Sequence, residues 1–518
     1  KLCTHHQKNM EDYQNSEPQT GSFDATFYNK NISLHLNNNP KNSKDTETCT
    51  TSPNDTDDKH KSDEENLGNM EKAVKKKSSC AQLIKLYKER YLMLFLFAIC
   101  STMNGFTTFQ YTVIANIVGC YFDVSLSAVN WTCDIHMVVF LVLVFPIMYF
   151  MDKKGIRITL IAGAVLNFLG SFVQCFTFAP NRFLVIMTCQ AFYAVGQVLV
   201  LSLPPFIAAV WFGAGEVGLA CALGVFGNQL GIALGFIIPP NIITSNCTDR
   251  VDISQELRII AYPMAVINTI ILVIIFFVFQ EKPKAFPSIA QATKPACETD
   301  YVQSLKKLFM HIPFVLLLLG YGLITGTYFG ISTLMNEMVL IHFPGEQGVA
   351  GMMGAILVFA GMFGSVIIGT LLDRTHRYKS ISLFAFVVSF LLMLAYTFLI
   401  KIEKIWIQFV MFILLGFIMT GYLPAGFDFG AEITYPVPEA MSASLLNAST
   451  QIFSIILTNI ASPILEMYGD FGSNIFFSSS LLVGAIIMAC IKCELKRAHA
   501  EDEEADDTEP KSIQDSMS

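Results

Sequence analysis

Polar residues dominate the first 85 or so positions of this 518-residue chain, and apolar residues dominate from there to about position 492. Short polar clusters divide that apolar body into twelve segments, near 91–118, 130–151, 157–179, 183–209, 217–240, 258–280, 312–341, 348–372, 380–400, 405–427, 441–465 and 472–492. Each is long enough to span a hydrocarbon core, which takes roughly 20 residues. The pattern predicts an all-α membrane protein with twelve transmembrane helices. One stretch within it, FGNQLGIALGFIIPP from Phe226 to Pro240, spaces Gly227, Gly231 and Gly235 four residues apart beside Asn228 and Gln229. Glycine at that spacing lets helices approach closely in lipid, where packing holds them together. The amides are expected to serve packing or gating there before they serve a ligand.

Composition sharpens the class, since 53% hydrophobic residues, 15% charged residues and a mean hydropathy of +0.49 exclude a water-soluble protein. The first 88 residues are expected to be a disordered cytoplasmic tail, too poor in apolar side chains to bury a core, with no signal peptide legible ahead of Tyr91. The expected organisation continues with a six-helix bundle over 89–281, a cytoplasmic linker over 282–310, a second six-helix bundle over 311–494 and an acidic tail over 495–518. Lys72, Lys75, Lys76 and Lys77 precede the first span, Lys153, Lys154 and Arg157 follow the second, and Lys282, Lys284, Lys306 and Lys307 separate the sixth and seventh. Arg374, Arg377 and Lys379 follow the eighth, and Lys492, Lys496 and Arg497 close the twelfth. If twelve spans alternate, all of these share one side, which places both termini in the cytoplasm. The exceptions, Arg182, Arg250, Lys401 and Lys404, are scattered. The sequon at Asn246 then lies in an outside loop and is the expected glycosylation site; Asn130 stands too close to the second span to read as one.

The halves repeat. YFMDKKGIRITL follows the second span and GTLLDRTHRYKS the eighth, so Asp152 and Arg157 echo Asp373, Arg374 and Arg377. The second copy resembles the loop signature of the major facilitator superfamily, G-x-L-x-D-R-x-x-R-x-K. Aspartates and bases at helix ends can bridge neighbouring helices in one conformation and release them in another, so these five residues are the expected gate.

Transporters of two such halves bind cargo near the midplane. The polar and aromatic residues expected at that depth are Asn104, Thr108 and Tyr111 on one face of the first span, Gln197 in the fourth, Tyr328 and Phe329 in the seventh, and Gln451 in the eleventh. Asp134, Glu337, Asp428 and Glu432 read as helix-end or loop-side residues, and histidine reads as absent from midspan. On that reading no titratable relay is present, which points to facilitated movement of a neutral or cationic cargo held by amides and ring faces. The lone CxxC of Cys490 and Cys493 is a poor metal site, the other cysteines say little of redox compartment, and no nucleophile, base and acid converge. No enzyme activity, cofactor, metal or nucleic-acid partner is expected.

The blocks FGNQLGI and GYLPAGFDFGAEITYP, with VWFGAGEVGLACALGV, resemble the feline leukaemia virus subgroup C receptor family of solute carriers, over about Tyr91 to Lys496. The resemblance implies transport of choline and ethanolamine, in a family also discussed as haem carriers. It implies a choline cage of a tryptophan in span one, a tyrosine in span seven and glutamines in spans four and eleven. Both glutamines are present as Gln197 and Gln451, as is the asparagine one turn before the aromatic, Asn104. Where the family has NAFQWIQY this chain has NGFTTFQY, with Thr108 for the tryptophan; where it has GAFY this chain has GTYF, with Phe329 for the tyrosine. A facilitative carrier of small amine alcohols, a carrier of a larger ligand such as haem in a pocket widened at Thr108, and a receptor of transporter ancestry all remain open. The chain is expected to act as a monomer in the plasma membrane.

Overall fold

The computed structural model describes residues 87–213, 216–245, 249–283, 301–402, 404–434, 437 and 439–491. The tail expected at 1–88 lies outside them except at its last two residues, and the acidic tail and Asn246 lie outside them altogether. No strand occurs among the described residues, and eleven helices are long and apolar enough to cross a membrane. Ten match expected spans one to one: α1 (Glu89–Phe122), α2 (Leu126–Met151), α3 (Lys153–Gln174), α4 (Phe183–Trp211), α5 (Leu219–Ile242), α6 (Arg250–Val278), α7 (Ile312–His342), α8 (Gln347–Leu372), α9 (Tyr378–Ile402) and α10 (Ile405–Thr434). The eleventh, Met441–Cys490, has 50 residues. Straight, it would measure about 75 Å, more than twice a hydrocarbon core of roughly 30 Å. It turns instead at Gly469, where φ is 69°, a conformation a β-carbon disfavours. It therefore supplies two passes, α11 before the glycine and α12 after it.

Gly155 makes the same turn at the α2–α3 corner, with φ 82°. The Glu281 carboxylate, just past α6, accepts from the Ile156 and Arg157 amides at 2.9 and 2.7 Å. An anion at a helix N-terminus satisfies amides that have no partner within the helix. We use "tail side" for the face where α1 begins and "far side" for the face where it ends. A short helix, Tyr301–Met310, lies within the expected linker and leads into α7.

Side chains from 308–491 form one buried cluster, around Phe314, Tyr321, Phe386, Tyr422 and Phe477. Two others draw only on residues 93–279. A fourth, around Phe109, Tyr121 and Phe236, takes in Ala355 and Val358 of α8 and so joins the two halves. On the perimeter Phe277, Phe363 and Val366 are 77%, 71% and 69% exposed, a surface suited to lipid and not to water.

The glycine stretch packs α5 on α1. A β-carbon at Gly227 would come within 2.7 Å of the Ala98 carbonyl oxygen and one at Gly235 within 2.6 Å of that of Phe106; at Gly231 it would run into the Thr102 carbonyl. The three glycines step along α1 one turn at a time. Thr102 Oγ1 donates to the Gly227 carbonyl at 2.8 Å, and Asn228 Nδ2 to that of Ser101 at 3.4 Å. Asn228 is thus a packing residue.

Candidate functional site

α1 is not one continuous helix. Its α-helical part ends at Phe109, a 3-10 turn covers Thr112–Ile114, and a second α-helical piece runs Ala115–Phe122. The hydroxyls of Thr107 and Thr112 donate to carbonyls three residues back, Asn104 at 2.7 Å and Phe109 at 3.2 Å. Such local bonds compete with the helical ladder. Asn104 and Tyr111 nevertheless both turn to α3, meeting Asn167 and Gln174 on a face that lies inside their own half. Tyr111 is buried within its own half, where its hydroxyl accepts from Gln174 Nε2 at 3.0 Å. Asn104 is fully buried, donating to Asn167 Oδ1 at 2.8 Å and to the Tyr193 carbonyl at 3.1 Å. Thr108 is buried too, and its hydroxyl has no partner.

The ring that α1 carries to the boundary between halves is the next residue, Phe109. It stacks on Phe236 of α5 with centroids 4.9 Å apart and on Phe329 of α7 at 6.3 Å with 14° between planes. Tyr328, buried, meets Phe329 edge-on at 5.2 Å. No ammonium-sized group fits between two near-parallel rings so spaced; in this conformation Phe109 and Phe329 close on each other across the boundary. Of the seven residues expected to bind cargo, only Gln197, Phe329 and Gln451 keep accessible surface. Phe109 was hidden in the sequence as one apolar residue among many, because periodicity does not say which face of α1 meets α7.

Sequence reasoning also missed a histidine. His136 is ten residues from Leu126, about 15 Å along a 26-residue helix and so near its middle. Its Nδ1 stands 2.6 Å from Gln197 Oε1 and its Nε2 3.0 Å from Gln190 Oε1, while Gln190 Nε2 donates to the Thr107 carbonyl at 3.4 Å. The expectation that titratable groups are absent from midspan is therefore corrected: periodicity alone could not show that the polar face of α2 turns inward. Asp134, on the same helix, is also fully buried.

Polar contacts between halves gather on the far side. Asn130 Nδ2 donates to Glu337 Oε1 at 2.9 Å, Asn336 Nδ2 to Asn116 Oδ1 at 3.0 Å, Asn459 Nδ2 to Asp134 Oδ2 at 2.7 Å, and Thr333 Oγ1 to Cys133 Sγ at 3.7 Å. Gly351 of α8 lies against the Phe236 carbonyl and Pro240 of α5. Toward the tail side, Ser444 Oγ meets Met148 Sδ at 3.3 Å. Asn130, buried and bonded to Glu337, is unavailable to a glycan.

Among the expected gating residues, Arg157 is held within its own half, donating to the Phe276 carbonyl at 3.0 Å. Arg374 and Arg377 are exposed. The side chains of Asp152 and Asp373 lie outside the described residues. Lys379 Nζ donates to the Ala489 carbonyl near the end of α12 at 2.9 Å.

The family model of the Major Facilitator Superfamily matches residues 93–456. The choline/ethanolamine transporter flvcr2a of Danio rerio is 40% identical over 422 residues, 81% of this chain and 90% of that protein. The choline/ethanolamine transporter FLVCR1 of Felis catus is 40% identical over 417 residues, 80% of this chain and 74% of that one. Among solved structures, a bacterial homologue of the human lysosomal transporter Spinster, in an inward-facing and occupied conformation, superposes with a TM-score of 0.59 at 13% identity, over 78% of this chain and 97% of that one.

Proposed function

The chain belongs to the major facilitator superfamily and, within it, to the feline leukaemia virus subgroup C receptor family, and from that premise we infer that it carries choline and ethanolamine across a membrane. It is a multi-pass membrane protein and a facilitative, alternating-access transporter, not an enzyme. The observation that carries the reading is 40% identity, over four-fifths of the chain, to proteins named as choline/ethanolamine transporters. The boundary between the halves supports it chemically. Phe109 and Phe329 offer ring faces that attract ammonium groups, and the partly exposed carboxamides of Gln197 and Gln451 can orient a hydroxyl end. The far side faces outward and the tail side the cytoplasm, as the distribution of bases requires. The disulfide-bonded Cys120, at the far end of α1, supports this, since disulfides persist in oxidising compartments. With the halves joined on the far side, this conformation is the one closed to the outside. The chain acts as a monomer in the plasma membrane, glycosylated at Asn246.

Liposomes containing the purified chain are expected to take up labelled choline and ethanolamine, and to go on doing so when a protonophore is added with the membrane potential clamped. Uptake of haem in place of both would favour the larger-cargo alternative, and binding without uptake the receptor alternative.

Asp152 and Arg157 with Asp373, Arg374 and Arg377 form the cytoplasmic gate in this reading. Both clusters lie at tail-side helix ends, and the exposed Arg374 and Arg377 are free to re-pair when that side closes. Asp373→Asn is expected to slow uptake about tenfold, while equilibrium choline binding stays within a few fold, because about 1.4 kcal/mol is lost from the closed state alone. Weakened binding with normal turnover would place Asp373 in recognition instead.

A further inference from the structure

Asp134 is eight residues, about 12 Å, from the start of α2. Its Oδ2 accepts from Asn459 Nδ2 of α11 at 2.7 Å, and its Oδ1 is buried with no partner at all. The neighbouring Cys133 meets Thr333 of α7, whose hydroxyl also donates to the Phe329 carbonyl at 2.9 Å. The carboxylate thus sits on the boundary between the halves, and the residue before it meets Thr333, one turn along α7 from Phe329 of the closed ring pair. No lysine or arginine among the described residues stands within ion-pair distance of it; the ion pairs found there join Arg90 to Glu216 and His342 to Asp470. His136 is close in sequence, yet both its ring nitrogens are engaged by Gln197 and Gln190 on α4.

A carboxylate withdrawn from water with one oxygen unpaired is costly until a proton or a cation neutralises it. Ionisable side chains inside a membrane pair with one another or mark the path of an ion or a substrate. Here no lysine or arginine side chain among the described residues neutralises it, while the cargo of the preceding reading carries a positive charge of its own. Resting on that reading, we propose that Asp134 is the counter-charge for the cargo's ammonium group. Asn459 acts as a positioning residue: its amide fixes one carboxylate oxygen and leaves the other for the cargo. This assignment also accounts for a site in which α1 supplies phenylalanine and threonine, and no tryptophan, the ring with the strongest attraction for cations.

The competing role for Asp134 is a neutral link in the far-side closure, which would treat charged and uncharged cargo alike. The two separate on 3,3-dimethyl-1-butanol, which has the shape of choline with carbon in place of nitrogen and no charge. In liposomes containing the full chain, unlabelled choline is expected to compete for labelled choline uptake about tenfold better than the alcohol, or more. Asp134→Asn keeps the bond to Asn459 and should bring that ratio close to one by weakening choline; Asp134→Glu should keep most of it. Choline should raise the melting temperature of the wild type and not that of Asp134→Asn. If the Asn variant fails to reach liposomes, Asp134→Ser carries the same comparison. A wild type that takes up choline without preferring it to the alcohol, or an Asn or Ser variant that keeps the preference, overturns the assignment of Asp134 alone. A wild type that takes up no choline overturns the functional reading, and this proposal with it.

Discussion

Gly231→Leu is expected to remove more than nine-tenths of the folded transporter from the membrane, measured as surface-labelled protein and as the fraction that stays monodisperse in detergent. A β-carbon at Gly231 would overlap the Thr102 carbonyl oxygen and lie 2.8 Å from its carbon and 2.9 Å from the Phe106 amide nitrogen. All three are backbone atoms, so no rotamer change relieves the contact, and α1 must move as a body. Overpacking a close contact costs about 1–3 kcal/mol even where side chains can shift, and a leucine here adds three more carbons in the same direction. Displacing α1 would also pull Phe109 away from Phe329, so any protein that survives should transport poorly. Gly369→Ala is the control. Gly369 opens the loop signature, yet a β-carbon there meets nothing within 4 Å, so that variant should match the wild type in abundance. Equal abundance of the two variants would mean that α1 and α5 do not pack as closely as described.

The contrast between these two glycines shows what a sequence can and cannot reveal. Spacing of four residues in Gly227, Gly231 and Gly235 announced a close helix contact, because that spacing returns to one face, but it could not name the partner. The twelve passes were legible because length and hydropathy follow from bilayer thickness, and the polar residues around Gly469 mark the turn between α11 and α12. The charged loop motif was legible because it repeats, while its role as a gate stays a proposal. The candidate cargo site was less so. The residues proposed for it come from helices far apart in sequence, and periodicity could not say which face of α1 meets the other half. The face that carries Asn104 and Tyr111 turns to α3, and Phe109, on another face of the same helix, meets α7. His136 and Asp134 were discounted because a polar pair near the start of an apolar run looks like a helix end. Only the packing of α2 against α4 on one side and α11 on the other shows both to be interior.

That double burial gives α2 a role beyond scaffold, with Asp134 turned to the boundary and His136 turned to Gln197. In the proposed reading the two act on different parts of one cargo path, one through charge and one through the orientation of a carboxamide. The far-side bonds of Asn130 and Cys133 lie on the same helix, so movement of α2 relative to the other half couples closure of that side to both.

His136→Leu is therefore expected to raise the KM for choline about tenfold or more while leaving the maximal rate within a few fold. In the wild type the imidazole stands between two carboxamide oxygens, at 2.6 Å from Gln197 and 3.0 Å from Gln190. A neutral imidazole has one N–H, so it satisfies both neighbours only if one carboxamide presents its NH2; an imidazolium donates to both. Either way the ring fixes which end of Gln197 remains for cargo. Leucine fills similar space with no polar atom, so both carboxamide oxygens lose this partner, at about 1–3 kcal/mol for the buried Gln190 and less for the partly exposed Gln197. They would turn to find new partners, and the cargo would meet Gln197 in the wrong orientation. His136→Gln retains one donor and one acceptor and should recover much of the loss, which a purely steric role would not predict. If His136→Leu reaches the surface at normal abundance with an unchanged KM, the histidine is packing alone and Gln197 is oriented by something else.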